Sequence, residues 1–255
     1  MKLIRIIPSL LVKNNFLVKG ENFSNHQYVG DVYNAVKIFS DKGAHEIILL
    51  DIEATNKNKS FNIDLIKKIK NEIFIPLTVG GGIRDVDQVT KVINEGVEKV
   101  CLNSVLNAGY SILSKIANKF GSQSLVVSLD VKKTNDEYSI FFNNGTVKSK
   151  YVLKEYLKVL QNEGVGEILL TSIDNEGLRK GFDLNLYKEV DNQVSIPIIA
   201  NGGAQGEQSF QKIFDETNIS SASGGSCFVY YGERKAVLIN YPSNKVINNL
   251  MERYE

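Results

Sequence analysis

The chain is predicted to fold as an α/β protein, a (β/α)₈ TIM barrel with an internal twofold half-barrel repeat, and three observations carry that expectation. Short β-branched apolar runs alternate with longer stretches of helical period, the pattern of a parallel sheet with crossover helices. Eight such units fit within the 255 residues, a length at which α/β barrels occur as one domain. The chain also repeats itself. GAHEIILLDI (43–52) returns as GVGEILLTSI (164–173) and IPLTVGGG (75–82) returns as IPIIANGG (196–203), both 121 residues later. Solenoid units run about 20–50 residues, so this is half a domain duplicated: one domain over 1–255 with half-barrels of about 1–120 and 121–255.

In chain order, the apolar runs place strands at 3–10, 46–52, 77–79, 99–102, 125–130, 167–172 and 198–200, with a weaker eighth at 219–222. Helical period falls between them at 32–42, 63–71, 86–95, 111–120, 153–163, 184–192 and 208–215, and a last helix is expected over 238–253. Segment 132–150 carries Asn143-Asn144-Gly145 between alternating residues and is expected to form a small inserted β-hairpin. A closed barrel is favoured over a doubly wound open sheet, which gives no reason for a twofold repeat of the whole domain.

Thirty basic and twenty-nine acidic side chains leave a net charge of +1, so nothing in the global field points to nucleic acid or an anionic membrane as partner. No apolar run approaches the ~18 residues of a spanning helix, and a soluble, cytoplasmic protein is expected. Cys101 and Cys227 stand apart from any C-x-x-C pair and are expected to be buried free thiols. His26 and His45, the two histidines, lack companions at ligand spacing, so no metal and no cofactor is expected.

In barrels of this kind function gathers at the C-terminal ends of the strands. After strand three comes VGGGIRD (79–85), and after strand seven ANGGAQG (200–206), each leading into a helix. Glycines let backbone amides turn toward a ligand, and a helix N-terminus adds unpaired N–H groups. Gly81 and Gly82 on one side, and Gly202 and Gly203 on the other, are therefore candidate phosphate binders, with Asn103 and Ser104 beside the first pair and Gly225 and Ser226 beside the second. Glycines that only make tight turns would explain one such pair; two at repeat-equivalent places suit a ligand phosphorylated at both ends. Thr171 is expected to project into the barrel top. Asp51 and Asp174 end strands two and six and suit ligand binding, although aspartate is also a turn former. Tyr230 and Tyr231 are expected to pack the barrel.

RIIPSLLVK (5–13), VKG (18–20), LDI (50–52), TVGGGI (78–83), FGSQ (120–123), GEILLTSID (166–174) and GGA (202–204) together resemble the cyclase subunit of imidazole glycerol phosphate synthase, the HisF family. The likeness runs from about residue 3 to 235. It implies a barrel that receives ammonia from a separate glutaminase subunit docked at its N-terminal face. Arg5, Glu46, Lys99 and Glu167, at four strand starts, match the family's charged ammonia gate, and Glu98 would fit an acidic contact to the partner.

The top face departs from the family pattern. The resemblance implies two aspartates, ending strands one and five, as general acid and base; here Asp130 is present but its mate is Leu11. Proton transfer by a positioned side chain is worth about 10²–10⁴ in rate, so ordinary cyclase activity is expected to be impaired. Asp130 is also expected to lack a nearby like charge. Asn201 and Glu176 stand where the family usually has serine and aspartate, and Lys19, on the first loop, expected to be mobile, is retained as a candidate catalytic residue and anion clamp.

This combination, with Pro8 and Leu11, is similar to a divergent branch of the family associated with surface polysaccharides. That branch implies ammonia supply to an ATP-dependent amidotransferase that makes an acetamidino sugar. Two alternatives stand beside it: a working cyclase-lyase of histidine biosynthesis that tolerates Leu11, and an inert barrel that only docks the glutaminase and conducts ammonia.

Overall fold

The computed structural model describes residues 3–254; residues 1, 2 and 255 of the expected domain span lie outside the described residues. Eight parallel strands close into a barrel: β1 (Arg5–Lys13), β2 (Ile47–Asp51), β3 (Leu77–Gly80), β4 (Lys99–Leu102), β5 (Leu125–Thr134), β6 (Glu167–Ser172), β7 (Ile198–Asn201) and β8 (Ser221–Gly224). Each pairs in parallel with the next. The ring closes between β8 and β1, with Arg5 opposite Ser221 and Pro8 opposite Gly224.

Pro8 fits poorly in a barrel strand on sequence grounds, yet β1 runs straight through it. The β8 ladder ends at Pro8 and the β2 ladder begins at Ser9, opposite Ile48. The missing N–H thus falls where pairing passes from one neighbour to the other, the kind of place a strand tolerates proline.

The crossovers are α1 (Val32–Asp41), α2 (Ile63–Lys70), α3 (Val86–Asn94), α4 (Ser111–Phe120), α5 (Leu153–Asn162), α6 (Leu184–Val190) and α7 (Glu207–Glu216), with α8 (Asn244–Glu252) last. Asp31, Asn62, Asp85 and Asp183 start four of them by accepting N–H bonds from the first turn, which satisfies donors that have no partner within the helix. The helices bury one face against the outside of the strands, where the main apolar core lies. Inside the barrel a second, separate layer is formed by Ile7, Ile48, Cys101, Val126, Leu169 and Ile199, none more than 3% exposed.

Three expectations are corrected. β8 spans 221–224 instead of 219–222: the barrel tolerates the small SASG run there, and Ile219 packs in the outer core. The last helix begins at Asn244, not 238, because Tyr230–Tyr231 pairs with Ala236–Val237 in a small ribbon and Pro242 precedes the helix. Tyr230 packs against the core, but Tyr231 is 68% exposed.

The first loop is also corrected, being an ordered structure and not an open loop. β1 continues through a tight turn at Asn14-Asn15 into an antiparallel strand, Phe16–Glu21, which pairs with Ser24–Asp31. β5 does the same at the repeat-equivalent place through Asn135-Asp136 into Glu137–Phe142 and Val147–Val152. Both turns hold two residues at positive φ, the geometry whose twist matches the flanking strands and that Asn and Asp adopt readily. The expected hairpin at 132–150 is thus the outer part of a three-stranded meander. Its partner over residues 16–31 had no Asn-Gly signal. The two meet over the barrel top, where a Cβ on Gly145 would lie 3.2 Å from Phe23, and Asn144 Nδ2 ties the second to the end of β2 by donating to Ile52 O at 2.7 Å.

Candidate functional site at the barrel mouth

The C-terminal strand ends surround a cavity of about 360 Å³. Gly81, Gly82, Asn103, Ser104, Asp130, Thr171 and Asn201 line it, together with Leu11, Asp51, Arg84, His26 and Glu176. Gly202, Gly203, Gly225 and Ser226 do not; all four are buried. The two phosphate-loop candidates are therefore unequal in this structure, the first facing open space and the second covered.

The glycines of both loops meet backbone in the same way. A Cβ on Gly81 would lie 2.3 Å from Asp51 O, and one on Gly202 would lie 2.5 Å from Ser172 O. Both have positive φ, so close packing alone already demands glycine at these places.

Asp130, 7% exposed, accepts from Asn103 Nδ2 at 3.0 Å and from Ser128 Oγ at 3.1 Å. Burial pushes its carboxyl up to about 7; the nearby Glu176 charge adds to this, while bonds from Ser128, Asn103 and Thr171 pull the other way. The expectation that Asp130 lacks a like charge is therefore wrong. Glu176 comes from the turn after β6, where the sequence marked it only as a departure from aspartate. Asp51 is also raised by burial, although it accepts from Glu53 N and Ala54 N at 2.9 and 3.0 Å.

Lys19 is not in an open loop. It lies in the Phe16–Glu21 strand, 4% exposed, and its ammonium is ion-paired with the Glu176 carboxylate. The same ammonium sits against the second loop, 2.6 Å from where a Gly225 Cβ would be. Asn22 fastens the hairpin down by donating from Nδ2 to Ile173 O and Asp174 O at 3.0 and 2.9 Å. Asp174 does not line the mouth; its carboxylate accepts from Lys133 N at 2.8 Å and so anchors the β5 meander. Thr171 Oγ1 accepts from Asn201 Nδ2 at 3.0 Å, and Asn201 Oδ1 accepts from Ser223 Oγ at 2.8 Å, a chain that ties β6 to β7 and β8.

At the opposite end, Arg5, Glu46, Lys99 and Glu167 form a closed ring. Arg5 bridges Glu46 at 3.1 Å and Glu167 at 2.6 Å, and Lys99 bridges the same two at 2.9 and 2.8 Å. Thr78 Oγ1 donates to Glu46 Oε1 at 2.6 Å and Arg5 Nε donates to Ser221 Oγ at 2.9 Å. Glu98 lies on this face but is engaged within the chain, pairing with Lys70 and accepting from Leu77 N at 2.8 Å. Phe74, just ahead of β3, is 94% exposed, and Leu3 is 65% exposed.

Cys101 is buried in the interior layer and burial raises its thiol pKa; Cys227, only partly buried as a whole residue, is pushed up to about 12 by burial of its thiol. Both are free, and no group of three metal-ligating side chains occurs among the described residues. Among those residues, no helix is long and apolar enough to cross a membrane.

Sequence reasoning missed Arg84 and His26 as mouth residues. Arg84 had a signal, following the glycine run of the first loop directly; His26 had none, because it reaches the mouth only through the unexpected hairpin.

A family model described as histidine biosynthesis protein matches residues 5–235. A protein of Pseudomonas aeruginosa, provisionally named an imidazole glycerol phosphate synthase subunit, is 42% identical over 239 residues, covering 93% of this chain and 95% of that one. The imidazole glycerol phosphate synthase subunit HisF of Campylobacter concisus is 41% identical over 229 residues, covering 90% of each chain. That of Streptococcus mutans is 40% identical over 230 residues, covering 90% and 91%.

Proposed function

The chain belongs to the histidine biosynthesis protein family as a HisF-like barrel, and from that premise we propose that it is the synthase-type subunit of a glutamine amidotransferase. In this reading a glutaminase docks on the N-terminal face, ammonia enters through the ring of Arg5, Glu46, Lys99 and Glu167, and a phosphorylated ligand occupies the mouth. The observation that carries it is the pairing of a salt-bridged ring at one end of the barrel axis with an acid-lined, phosphate-loop cavity at the other. The interior between them is apolar, which suits passage of neutral ammonia over ammonium, since an unpaired charge is costly to bury.

The acceptor is where this chain departs from the pattern that the resemblance implies. Leu11 lines the mouth where a second aspartate would act, and an isobutyl group cannot exchange protons. This favours a barrel that serves amidination of a surface sugar, with ammonia passed to an ATP-dependent amidotransferase. A second reading, cyclase-lyase activity in histidine biosynthesis, is favoured by one specific observation: Asp130, raised to about 7, has the Glu176 carboxylate as a neighbour, so two ionisable acids do share the mouth.

Supplying the phosphorylated ribulosyl formimino nucleotide of the histidine pathway together with an ammonium salt separates the two. No turnover is expected above about 10⁻² of an ordinary cyclase rate; turnover at an ordinary rate overturns the first reading in favour of the second. Glutaminase activation by an Asn103→Ala/Ser104→Ala variant, confined to residues that line the mouth, tests a third possibility, a barrel that is only a conduit, in which case the variant activates as the parent does.

A further inference from the structure

We infer that the mouth takes a ligand bearing a short acyl group, which lies against an apolar wall made by Leu11 and Leu50 while the rest of the ligand faces the polar wall opposite. The inference rests on the mouth being a small-molecule site, as proposed above, and deepens that reading by naming the ligand class.

The two walls are repeat-equivalent in position and opposite in chemistry. Leu11 on β1 stands in register with Leu50 on β2, and Asp130 on β5 stands in register with Thr171 on β6. All four line the cavity. In a ring of eight strands β1 and β2 lie across from β5 and β6, so a leucine pair faces an aspartate and a threonine over one space. The polar wall is hydrogen-bonded within itself: Asn103 and Ser128 donate to Asp130, and Asn201 donates to Thr171. The leucines are covered less well. Below them Ile7 and Ile48 are sealed in the interior layer, and Leu50 packs on that layer, yet Leu11 and Leu50 are only half-buried.

Ile52, two residues beyond Leu50, and Phe23, at the hairpin turn, also line the cavity. Phe23 holds a φ of 62° and is the only apolar side chain at positive φ among the described residues, a conformation that is costly for a bulky residue. Placement of its ring in the mouth gives that strain a reason. Asp51, between Leu50 and Ile52, is engaged by the backbone amides of Glu53 and Ala54. A hydroxyl or a charge set against the leucines would give up water without gaining a partner, whereas a methyl group there would gain by burial. A ligand polar on every side thus uses only half of the mouth. An acyl group carries its carbonyl one bond from its alkyl end, so it passes from apolar to hydrogen-bonding within the short span that opposed walls around about 360 Å³ allow.

Isothermal titration of N-formylglucosamine 1-phosphate and N-acetylglucosamine 1-phosphate into the intact chain tests this, because the two probes share one amide and differ by one methyl group. The parent should bind the acetyl compound about threefold to fourfold more tightly, the value of one buried methyl group. Leu11→Ile should keep that preference. Leu11→Asn, which keeps the branched outline but is polar, should bring the two probes within about 1.5-fold of each other. Leu11→Thr serves if Leu11→Asn unfolds, with the same loss of preference expected. Equal binding of both probes by the parent, or an undiminished preference in a folded Leu11→Asn, overturns the inference and leaves the mouth a binding site. If neither probe binds, the inference also falls; inorganic phosphate then decides the wider reading, which survives if phosphate binds the parent and falls as well if it does not.

Discussion

Asn103 Nδ2 donates to Asp130 Oδ2 at 3.0 Å, so a side chain at the end of β4 holds the mouth's buried acid. A ligand in the proposed phosphate site would therefore be coupled to ionisation of the acid. That bond favours the charged form, and Asn103→Ala removes it. The Asp130 pKa should rise above its present value of about 7, by roughly one unit for one charge-assisted hydrogen bond. Carbon-13 NMR titration of the Asp130 carboxyl reads the shift directly; an unchanged or lower pKa contradicts the coupling.

Asp130 also makes stability fall with pH. Its folded pKa lies above the unfolded carboxyl value near 3.8, so between the two the native state binds the extra proton. Stability therefore declines as pH rises from about 4 to about 7 and levels off beyond. Asp130→Asn should remove that decline and, at pH 8, unfold at higher urea than the parent, by an amount on the order of a few kcal/mol. At pH 4 the two should be nearly equal. Ser128 Oγ can turn to accept from the new carboxamide, so the polar environment is kept.

The ring at the barrel base is only partly sheltered: Glu46 is 2% exposed, Arg5 22% and Lys99 15%. Lys99→Met leaves two glutamates with one cation between them. A fully buried broken pair costs about 3–5 kcal/mol, and solvent at Arg5 and Lys99 lowers the expected loss to roughly 1–3 kcal/mol in urea unfolding. The double variant Lys99→Met/Glu167→Gln should recover part of it, since the charge imbalance is gone.

Phe74 is 94% exposed on the face where β3 begins. Phe74→Ala should leave urea unfolding within about 0.5 kcal/mol of the parent. If that face holds the proposed glutaminase, the substitution should weaken the complex by about tenfold or more, as an aromatic anchor at an interface does. Equal affinity by surface plasmon resonance would move the partner elsewhere.

The barrel was legible because its periodicities are local: strand runs such as GEILLTS, helical spacing between them, and a repeat visible by inspection. The basal ring was legible too, because strand starts share one end of a parallel barrel and the four charge types could be matched. The mouth was only half legible. Its loops carry glycine runs, but the pairing of Lys19 with Glu176 joins residues 157 apart through a hairpin whose turn, Asn22-Phe23, lacks the usual glycine. Without that hairpin, Glu176 is an unremarked glutamate, Asp130 is a lone acid, and His26 is a residue on a loop. Asp174 was hard to place for a related reason: a strand-end aspartate faces either a ligand or a neighbouring backbone amide, and here the β5 meander supplies an amide, Lys133 N.

The seam between β1 and β8 joins residues at opposite ends of the chain, Arg5 to Ser221 and Pro8 to Gly224. Until β8 is in place, the β1 border of the sheet has no partner. A proline on that border removes one donor that a stray strand would need. Pro8 is thus expected to disfavour a stray strand at the join that closes the barrel.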